Sequence, residues 1–246
     1  MTTLRGVVFD FFGTLTVDQV PAERHRTQEP VARLLGVPLD AYLVALRDTF
    51  TERATGVYRD TAESLRALAT QLGGDPSPES LTAAVASRED AERTMTRPRP
   101  GVLELLADLH AGGVPVGVLS DCTWETANIW PELPYAGLVD AVVFSVVVGA
   151  RKPAPVMYEL VARPLGLAPE EIVYVGDGGS NELTGARRAG MHPVLLRASL
   201  DEPAAVQALR YDAETDWTGE HVRDVGELRR LLADHGLLDG SPSSPA

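Results

Sequence analysis

The sequence is poor in cysteine, because Cys122 is the one cysteine among 246 residues. A single cysteine excludes a disulfide within the chain, which is typical of proteins from a reducing compartment. Long hydrophobic runs are also missing, since no apolar stretch approaches the ~20 residues that a helix needs to span a bilayer. The N-terminus lacks the basic region and apolar stretch of a secretory signal. These absences predict a cytoplasmic protein without a membrane-spanning segment.

Positive charge is scarce as well. The chain has 22 Lys and Arg residues against 35 Asp and Glu, which gives a formal net charge of −13 and a pI of about 4.8. An acidic surface repels phosphate polymers and anionic lipid, so the composition argues against nucleic acid and membranes as the main partners. A small anionic metabolite remains a suitable partner wherever cationic side chains gather locally. The composition does not indicate an oligomeric state.

The first apolar run, Val7 to Phe9, ends on the carboxylate of Asp10 and is followed by Gly13 and Thr14. A β-branched and aromatic stretch of this kind predicts a buried strand that brings Asp10 to the edge of a sheet. Open α/β sheets bind their ligands at that edge. The simpler interpretation is that Asp10 only caps the turn that follows it.

Residues 16–95 have the spacing of amphipathic helices and almost no strand-like alternation. Glycine and proline interrupt this pattern at residues 36–38 and 73–78, which divides the segment into several helices. We expect residues 16–95 to form a helical cap inserted after the first strand. An insert in this place is well situated to cover the loop that follows Asp10.

The rest of the chain alternates between predicted strands and predicted helices. Alternation of this kind implies right-handed βαβ units and a parallel sheet. We therefore expect an α/β fold in which residues 1–15 and 96–235 form the core and residues 236–246 form a disordered tail rich in serine and proline. Strands are predicted at residues 115–120, 139–148, 172–177 and 192–196, and helices at 102–110, 156–165, 184–189 and 225–232.

Four side chains that could take part in binding or catalysis follow predicted strands: Asp10, Ser120, Lys152 and Asp177. Because the carboxyl ends of parallel strands meet at one edge, these residues can share a pocket. Two neighbouring carboxylates repel each other unless a cation or a proton lies between them, and oxygen ligands suit Mg²⁺. Taken singly, each residue has a simpler interpretation as a cap, a turn residue or a solvated charge. Together they predict a site for a divalent cation and an anion.

The segments around these residues resemble the four motifs of the haloacid dehalogenase-like (HAD) hydrolases. The resemblance implies a Rossmann-like parallel core, a helical C1 cap, and Asp10 as the nucleophile. It further implies that Ser120 and Lys152 hold the transferring group, and that Mg²⁺ is bound by Asp10, Asp177 and the main-chain carbonyl of Phe12. In the same motifs, Thr14 and Asp121 are further candidates for phosphate binding, and Asn181 and Glu182 match the end of the fourth motif. The resembling segments are residues 10–15, 119–121, 151–153 and 175–182.

The sequence departs from the family's phosphatases at Phe12. Those enzymes usually carry a second Asp there, which protonates the leaving alcohol and later activates water, a role typically worth about 10²–10⁴-fold in rate. The family's 2-haloacid dehalogenases have an aromatic residue at this place, and a halide leaves without a proton. However, those dehalogenases work without metal and resemble Ser-Ser-Asn where this chain has Gly176 and Asp177. A site without metal would leave two neighbouring carboxylates uncompensated.

The sequence therefore favours a Mg²⁺-dependent phosphatase that acts on a small phosphorylated metabolite through an aspartyl-phosphate at Asp10. The missing acid would come from the cap or from water, or would not be needed for a good leaving group. Two alternatives stay open: a 2-haloacid dehalogenase with Asp10 as nucleophile, and a weakly active phosphate-binding regulatory protein. Candidates for the replacement acid are Asp18, Glu23 and Asp121. Candidates for a halide-binding arginine are Arg24, Arg26, Arg47 and Arg53.

Overall fold

The computed structural model describes residues 3–17, 20–197 and 217–238. Within these ranges the core is a six-stranded, entirely parallel sheet with the strand order β3-β2-β1-β4-β5-β6. This arrangement confirms the predicted α/β, Rossmann-like class. The strands are β1 (Gly6–Phe9), β2 (Val116–Ser120), β3 (Ala141–Phe144), β4 (Ile172–Gly176), β5 (His192–Leu196) and β6 (Glu220–Val222).

Strand β1 lies in the middle of the sheet and is buried on both faces. Successive side chains of a strand point to opposite faces. Accordingly, Val7 and Phe9 belong to one hydrophobic cluster, while Val8 belongs to the cluster on the other side. This explains why the strand reads as a continuous apolar run, which is typical of parallel sheets that are covered on both faces.

Helices cover the two faces of the sheet and also form the segment between β1 and β2. The helices of that segment are α1 (Pro21–Leu35), α2 (Leu39–Asp48), α3 (Phe50–Ala54), α4 (Thr61–Gln71) and α5 (Pro78–Met95). The others are α6 (Val102–Ala111), α7 (Trp124–Ile129), α8 (Ser145–Val148), α9 (Pro155–Leu165), α10 (Glu182–Arg188) and α11 (Val225–Asp234). Among the described residues, no helix is both long and apolar enough to cross a membrane.

The helices between β1 and β2 have a hydrophobic cluster of their own, separate from the two clusters of the sheet. Val31 and Leu35 of α1 lie in it with Leu46 of α2, Leu68 of α4 and Leu81 of α5, all of them buried. A segment that buries its own apolar side chains can hold its shape apart from the sheet.

The two chain segments that join these helices to the core run side by side. Thr16 and Pro98 form an isolated antiparallel bridge. The amide of Val17 donates to the carbonyl of Arg97 at 3.0 Å, and the amide of Arg99 donates to the carbonyl of Leu15 at 2.9 Å. The segment that enters the helical insert and the segment that leaves it are therefore hydrogen-bonded to each other directly after the Asp10 loop.

The structure differs from the sequence-based expectation in several places, and helix α7 was among the elements not predicted. The apolar run 139–148 is not one strand, because β3 stops at Phe144 and the chain continues as α8; a short apolar run does not reveal its period. Strand β6 was not predicted, since three residues cannot show alternation. Leu237, expected in the disordered tail, is 4% exposed and lies in a core cluster of the sheet. Residues 239–246 of that expected tail lie outside the described residues.

Candidate active site

Strands β1, β2 and β4 bring three of the expected residues to one edge of the sheet. Phe9 pairs in register with Val118 of β2 and with Val175 of β4, so these strands end side by side. Asp10 follows β1, Ser120 ends β2, and Asp177 follows β4. Lys152 arrives at the same place from the loop between α8 and α9.

Asp10 is 5% exposed and makes a polar contact through each carboxylate oxygen. Its Oδ1 accepts a hydrogen bond from Lys152 Nζ at 2.5 Å, and its Oδ2 accepts one from Thr14 Oγ1 at 2.9 Å. Burial raises the pKa of Asp10 from 3.8 to about 6. Lys152 and Thr14 oppose that rise, and the negative charge of Asp177 adds to it.

The turn after Asp10, residues 11–15, depends on a glycine. Gly13 has a φ of +75°, and a Cβ atom there would lie 2.5 Å from Asp177 Oδ2. Any larger residue would therefore be strained and would push against that carboxylate. The amide of Gly13 also donates to Thr16 Oγ1 at 3.0 Å, which closes the turn.

Arg99 holds this turn from the segment that leaves α5, a role that the sequence did not reveal. Its Nη2 donates to the carbonyl of Gly13 at 2.6 Å, and its Nε donates to the carbonyl of Thr14 at 3.1 Å. The signal that could have drawn attention to it is the stretch of alternating arginine and proline at residues 97–100. A role of this kind depends on tertiary packing, so spacing alone does not assign it.

Lys152 is shared between two buried carboxylates. Its Nζ lies 2.5 Å from Asp10 Oδ1 and 2.5 Å from Glu182 Oε2. Burial alone would lower the pKa of Lys152, but the charges of Asp10 and Glu182 outweigh burial and raise this pKa well above its usual range. Lys152 therefore remains a fixed positive charge beside Asp10.

Glu182 begins α10 and is fully buried beneath the site. Its Oε2 accepts hydrogen bonds from Lys152 Nζ and, at 2.8 Å, from the hydroxyl of Tyr174, while its Oε1 accepts one from the amide of Gly178 at 2.9 Å. Burial and the charge of Asp10 raise the pKa of Glu182 well above its usual range, and the ammonium of Lys152 opposes them. The sequence placed Glu182 in the fourth motif but did not reveal this contact with Lys152.

Asp177 faces the turn after Asp10 from the end of β4. Its Oδ1 accepts a hydrogen bond from the amide of Gly179 at 2.9 Å. Its main-chain carbonyl accepts two hydrogen bonds from the buried guanidinium of Arg197, at 3.1 Å from Nε and 2.5 Å from Nη2. Arg197, which sequence reasoning missed, thus fixes the backbone that carries the carboxylate.

The residues at this edge fit a divalent cation. One carboxylate oxygen from each of Asp10, Asp177 and Glu182 lies within 4.8 Å of the others, and all three residues are buried. Two of these carboxylates contact the ammonium of Lys152, and the charge of Asp177 adds to the burial that raises the pKa of Asp10. Oxygen donors with uncompensated negative charge are the ligand set that Mg²⁺ prefers.

Ser120 offers a buried hydroxyl without a partner. Its side chain is 0% exposed, and its Oγ has no hydrogen bond within the described part of the chain. Leaving a buried hydroxyl unpaired costs about 1–3 kcal/mol, so such a group usually has an unseen partner. An oxygen of a bound anion is one group that would accept this hydrogen bond.

The comparison with known proteins agrees with this geometry. A family model described as haloacid dehalogenase-like hydrolase matches residues 4–190. The chain belongs to this family. Among curated relatives, the glyceraldehyde 3-phosphate phosphatase of Methanopyrus kandleri is 35% identical over 169 residues, which cover 68% of this chain and 71% of the relative. Hexitol phosphatase A of Escherichia coli is 30% identical over 204 residues, which cover 81% and 86%.

Solved structures show the same fold. The L-2-haloacid dehalogenase of Xanthobacter autotrophicus matches with a TM-score of 0.63 and 23% identity, over 94% of this chain and 98% of that one. A HAD phosphatase from Thermococcus onnurineus matches with a TM-score of 0.58 and 21% identity, over 93% and 98%. At these identities the solved structures establish only the fold of this HAD-like hydrolase. Its reaction has to be inferred from the residues of the site.

Position 12 of this HAD-like hydrolase holds a ring in place of a carboxylate. Phe12 is half-buried and packs edge-on against Phe11, with ring centroids 5.1 Å apart and an interplanar angle of 70°. Two of the three candidates for a replacement acid already bind other residues. Glu23 pairs with Arg97 Nη2 at 2.7 Å, and Asp121 accepts hydrogen bonds from Arg151 Nε and from the amide of Lys152. The third, Asp18, lies outside the described residues.

The candidate halide-binding arginines are placed in different surroundings. Arg53 is buried and donates to the carbonyl of Leu46 at 2.5 Å. Arg26 and Arg47 are exposed and pair with carboxylates of their own helices, while Arg24 is half-buried on α1. The hydrogen bond of Arg53 to Leu46 and the ion pairs of Arg26 and Arg47 do not involve Asp10.

The helical segment between β1 and β2 contacts residues that follow β2 and α8 at the edge of the sheet. Arg151 Nη1 donates to Thr51 Oγ1 at 2.7 Å, and its guanidinium lies 4.9 Å from the centroid of the Phe50 ring. Trp124 Nε1 donates to the carbonyl of Tyr58 at 2.6 Å. Arg151 immediately precedes Lys152, so helices of the insert lie against the loop that delivers the ammonium group.

Proposed function

We propose that this HAD-like hydrolase is a Mg²⁺-dependent phosphatase that acts on a small phosphorylated metabolite through an aspartyl-phosphate at Asp10. The observation that carries the proposal is the buried carboxylate of Asp177 beside Asp10. Without a cation the charge of this carboxylate adds to burial in raising the pKa of Asp10, which disfavours the ionised form of the nucleophile. With a divalent cation, both carboxylates gain a shared partner.

The curated relatives support phosphate-ester chemistry. Those described above are a glyceraldehyde 3-phosphate phosphatase and a hexitol phosphatase. A second glyceraldehyde 3-phosphate phosphatase, from Methanothermobacter thermautotrophicus, is 29% identical over 80% of this chain and 85% of the relative. These names support small phosphorylated sugars and polyols as the first substrates to test.

The carboxylates of Asp10 and Asp177, with the main-chain carbonyl of Phe12, would hold Mg²⁺. When bound, the ion supplies positive charge that offsets both carboxylates and the transferring phosphoryl group. Thr14 and Lys152 hold the Asp10 carboxylate in place. Glu182 lies in the same cluster, but its oxygens already accept hydrogen bonds from Lys152, Tyr174 and Gly178.

In the first step, one oxygen of Asp10 attacks phosphorus while the bond from phosphorus to the ester oxygen breaks. Lys152 and the unpartnered hydroxyl of Ser120 would bind the phosphoryl oxygens, where negative charge must be stabilised. Because Lys152 stays protonated, it serves as a fixed charge and does not transfer a proton. Asp121 acts on the phosphate through Lys152, since its carboxylate holds the Lys152 amide.

In the second step, water attacks the phosphorus of the aspartyl-phosphate, which releases phosphate and restores the Asp10 carboxylate. Both steps need a proton transfer that an acid at position 12 usually performs in phosphatases of this family. Since Phe12 cannot do so, the leaving oxygen of the first step would take its proton from water or from a cap residue. In the second step the attacking water would release its proton to the same group or to solvent. Substrates with an acidic leaving group should therefore react best.

Phe12 is also the observation that favours a second candidate, a 2-haloacid dehalogenase. In the first step of that reaction Asp10 attacks carbon, the halide leaves with the electron pair of the broken bond, and the leaving group requires no proton. Water then hydrolyses the ester and restores the Asp10 carboxylate. The buried Asp177 carboxylate argues against it, because an anionic haloacid would enter beside two carboxylates. Weak turnover with tight phosphate binding would instead indicate a regulatory protein.

The helices between residues 16 and 95 are proposed to be a cap that moves over this site. Their separate hydrophobic cluster and the paired linkers at Thr16 and Pro98 support a unit that hinges at residues 15–16 and 97–98. Contacts of Arg151 and Trp124 with this unit would couple its position to the catalytic loops.

The proposal is tested by measuring phosphate release from a panel of small phosphate esters and acyl phosphates in Mg²⁺, with glyceraldehyde 3-phosphate first. An Asp10→Asn variant is the matched control, because an amide of the same size cannot attack phosphorus at a useful rate. Turnover by the wild type that falls to less than about a tenth in the variant supports the proposal. Activity that survives the substitution would show that Asp10 is not the nucleophile.

A further inference from the structure

Two histidines and a glutamate meet at the edge of the sheet opposite to Asp10. His192 begins β5 and Glu220 begins β6, so both lie where the parallel strands start. Helix α11 follows β6 and runs back along the sheet to the same edge, and His235 follows its last residue. The topology therefore brings three residues that are distant in sequence to one corner of the core.

The pattern of side chains also puts these residues on one face. Val194 and Val222 pack in the same hydrophobic cluster as Leu228 and Leu232 of α11. His192 and Glu220 each lie two positions before one of those valines, so their side chains point to the same face. His235 lies three positions after Leu232, on the adjoining side of the helix.

The three side chains are within reach of a single ion. His192 Nε2 lies 2.6 Å from Glu220 Oε2, and the rings of His192 and His235 have centroids 5.4 Å apart. One nitrogen or oxygen from each residue lies within 4.8 Å of the others. A zinc ion with bonds of about 2.0–2.2 Å holds tetrahedral ligands roughly 3.3–3.6 Å apart, so the three side chains would need small rotations, with Glu220 and His192 moving apart and His235 moving in.

We propose that His192, Glu220 and His235 form a second metal site, selective for a first-row transition-metal dication such as Zn²⁺. Two imidazoles and one carboxylate suit Zn²⁺ and its neighbours, whereas Mg²⁺ prefers oxygen ligands alone. The site is thus chemically distinct from the all-oxygen cluster of Asp10 and Asp177.

The surroundings favour a bound cation. An open cleft of about 490 Å³ adjoins the cluster and gives water access to the ion; it is lined by Glu220, Glu227, Arg230, Leu231, Asp234 and His235. Three carboxylates face this cleft against one guanidinium. Leu237, two residues after His235, is buried and anchors the chain on that side.

Binding at this site would tie three elements together. Strand β6 is three residues long and lies at the edge of the sheet, and α11 is the last helix among the described residues. A metal ion bound to the folded chain only would stabilise it in proportion to the logarithm of the metal concentration. The ion is therefore assigned a structural role, apart from the reaction at Asp10.

The test is a Zn²⁺ titration of the full chain, stripped with EDTA and then dialysed into excess Mg²⁺ so that the oxygen cluster is occupied. We expect one Zn²⁺ per chain and a higher unfolding temperature with Zn²⁺ than without. His235→Ala and His192→Gln should each weaken binding roughly tenfold or more and remove the thermal shift. His25→Ala is the matched control, because His25 is similarly exposed and also faces a carboxylate, Asp40, at 3.7 Å.

A cooperative unfolding transition in EDTA shows separately that each variant folds. If one of the two histidine variants does not fold, the other still tests the site. Equal zinc binding by the wild type and both variants would place the ion on other groups and overturn the proposal. Absence of zinc binding by the wild type would reduce the cluster to a surface ion pair between His192 and Glu220, and would equally overturn it.

Discussion

The ammonium of Lys152 lies 2.5 Å from a carboxylate oxygen of Asp10 and 2.5 Å from one of Glu182. One buried ammonium is thus shared by two buried carboxyl groups, and that of Asp177 belongs to the same cluster. This arrangement links Asp10 to the proposed metal, because a dication would offset negative charge that the ammonium of Lys152 leaves uncompensated.

The raised pKa of Asp10, which is caused by burial and increased by the charge of Asp177, should make stability depend on pH in EDTA. The pKa of Asp10 is raised to about 6, so between pH 4 and 6 the folded chain binds a proton that the unfolded chain releases. Stability from this group is therefore present at low pH and lost as the pH rises through about 6. Relative to Asp10→Asn, the free energy of unfolding of the wild type should fall by roughly 2–3 kcal/mol across this window.

Denaturant unfolding at several pH values measures that difference. Adding Mg²⁺ should flatten it, because the cation stabilises the ionised carboxylate. A difference between the two proteins that stays constant from pH 4 to 6 in EDTA would show that burial and the charge of Asp177 do not raise the pKa of Asp10.

Asp177 should be required for metal dependence. Replacing it with Ala removes a charged oxygen ligand, so the Mg²⁺ concentration for half-maximal activity should rise by about two orders of magnitude or activity should vanish. Asp177→Ser should give no enzyme that works without metal. Asp75→Ala, an exposed position in the loop between α4 and α5, is the control and should behave as the wild type. Unchanged Mg²⁺ dependence in Asp177→Ala would exclude this carboxylate as a ligand.

A carboxylate at position 12 should increase phosphatase activity. Phe12→Asp supplies an acid two residues from Asp10, and we expect turnover of simple alkyl phosphates to rise by about 10–100-fold. Because the ring is half-buried, the substitution should also cost about 1–3 kcal/mol of stability. Phe12→Asn is the matched control, since it removes the ring without adding an acid. Equal turnover by the two variants would mean that proton transfer does not limit the reaction.

The helical segment 16–95 should change its orientation relative to the sheet. Structures with and without Mg²⁺ and inorganic phosphate should differ by rotation about residues 15–16 and 97–98. In an open form the bonds from Arg151 to Thr51 and from Trp124 to Tyr58 should be broken. If both structures show the same orientation and a sealed site, the segment does not act as a gate.

The ends of β1, β2 and β4 could be predicted from the sequence for a physical reason. A buried strand of a parallel sheet is a short apolar run, and the residue after it reaches one common edge. Asp10, Ser120 and Asp177 could therefore be grouped without a structure. Lys152 could be assigned to the same group because its loop also follows an apolar run.

Other features depend on distances that the sequence does not encode. The contact of Glu182 with Lys152, the hold of Arg99 on the Asp10 turn, and the support of Asp177 by Arg197 each join residues from separate elements. Strand β6 is too short to show a period, and α8 continues the apolar run of β3. For such features local patterns are ambiguous, and tertiary packing decides the outcome.

One assay separates the proposed phosphatase from a dehalogenase most directly. Phosphate release from phosphate esters and halide release from 2-haloacids are measured on the same preparation, once in Mg²⁺ and once in EDTA. The Asp10 and Asp177 geometry predicts phosphate release that requires Mg²⁺ and no halide release in either condition. Halide release by the wild type that is undiminished in EDTA would contradict the proposed function.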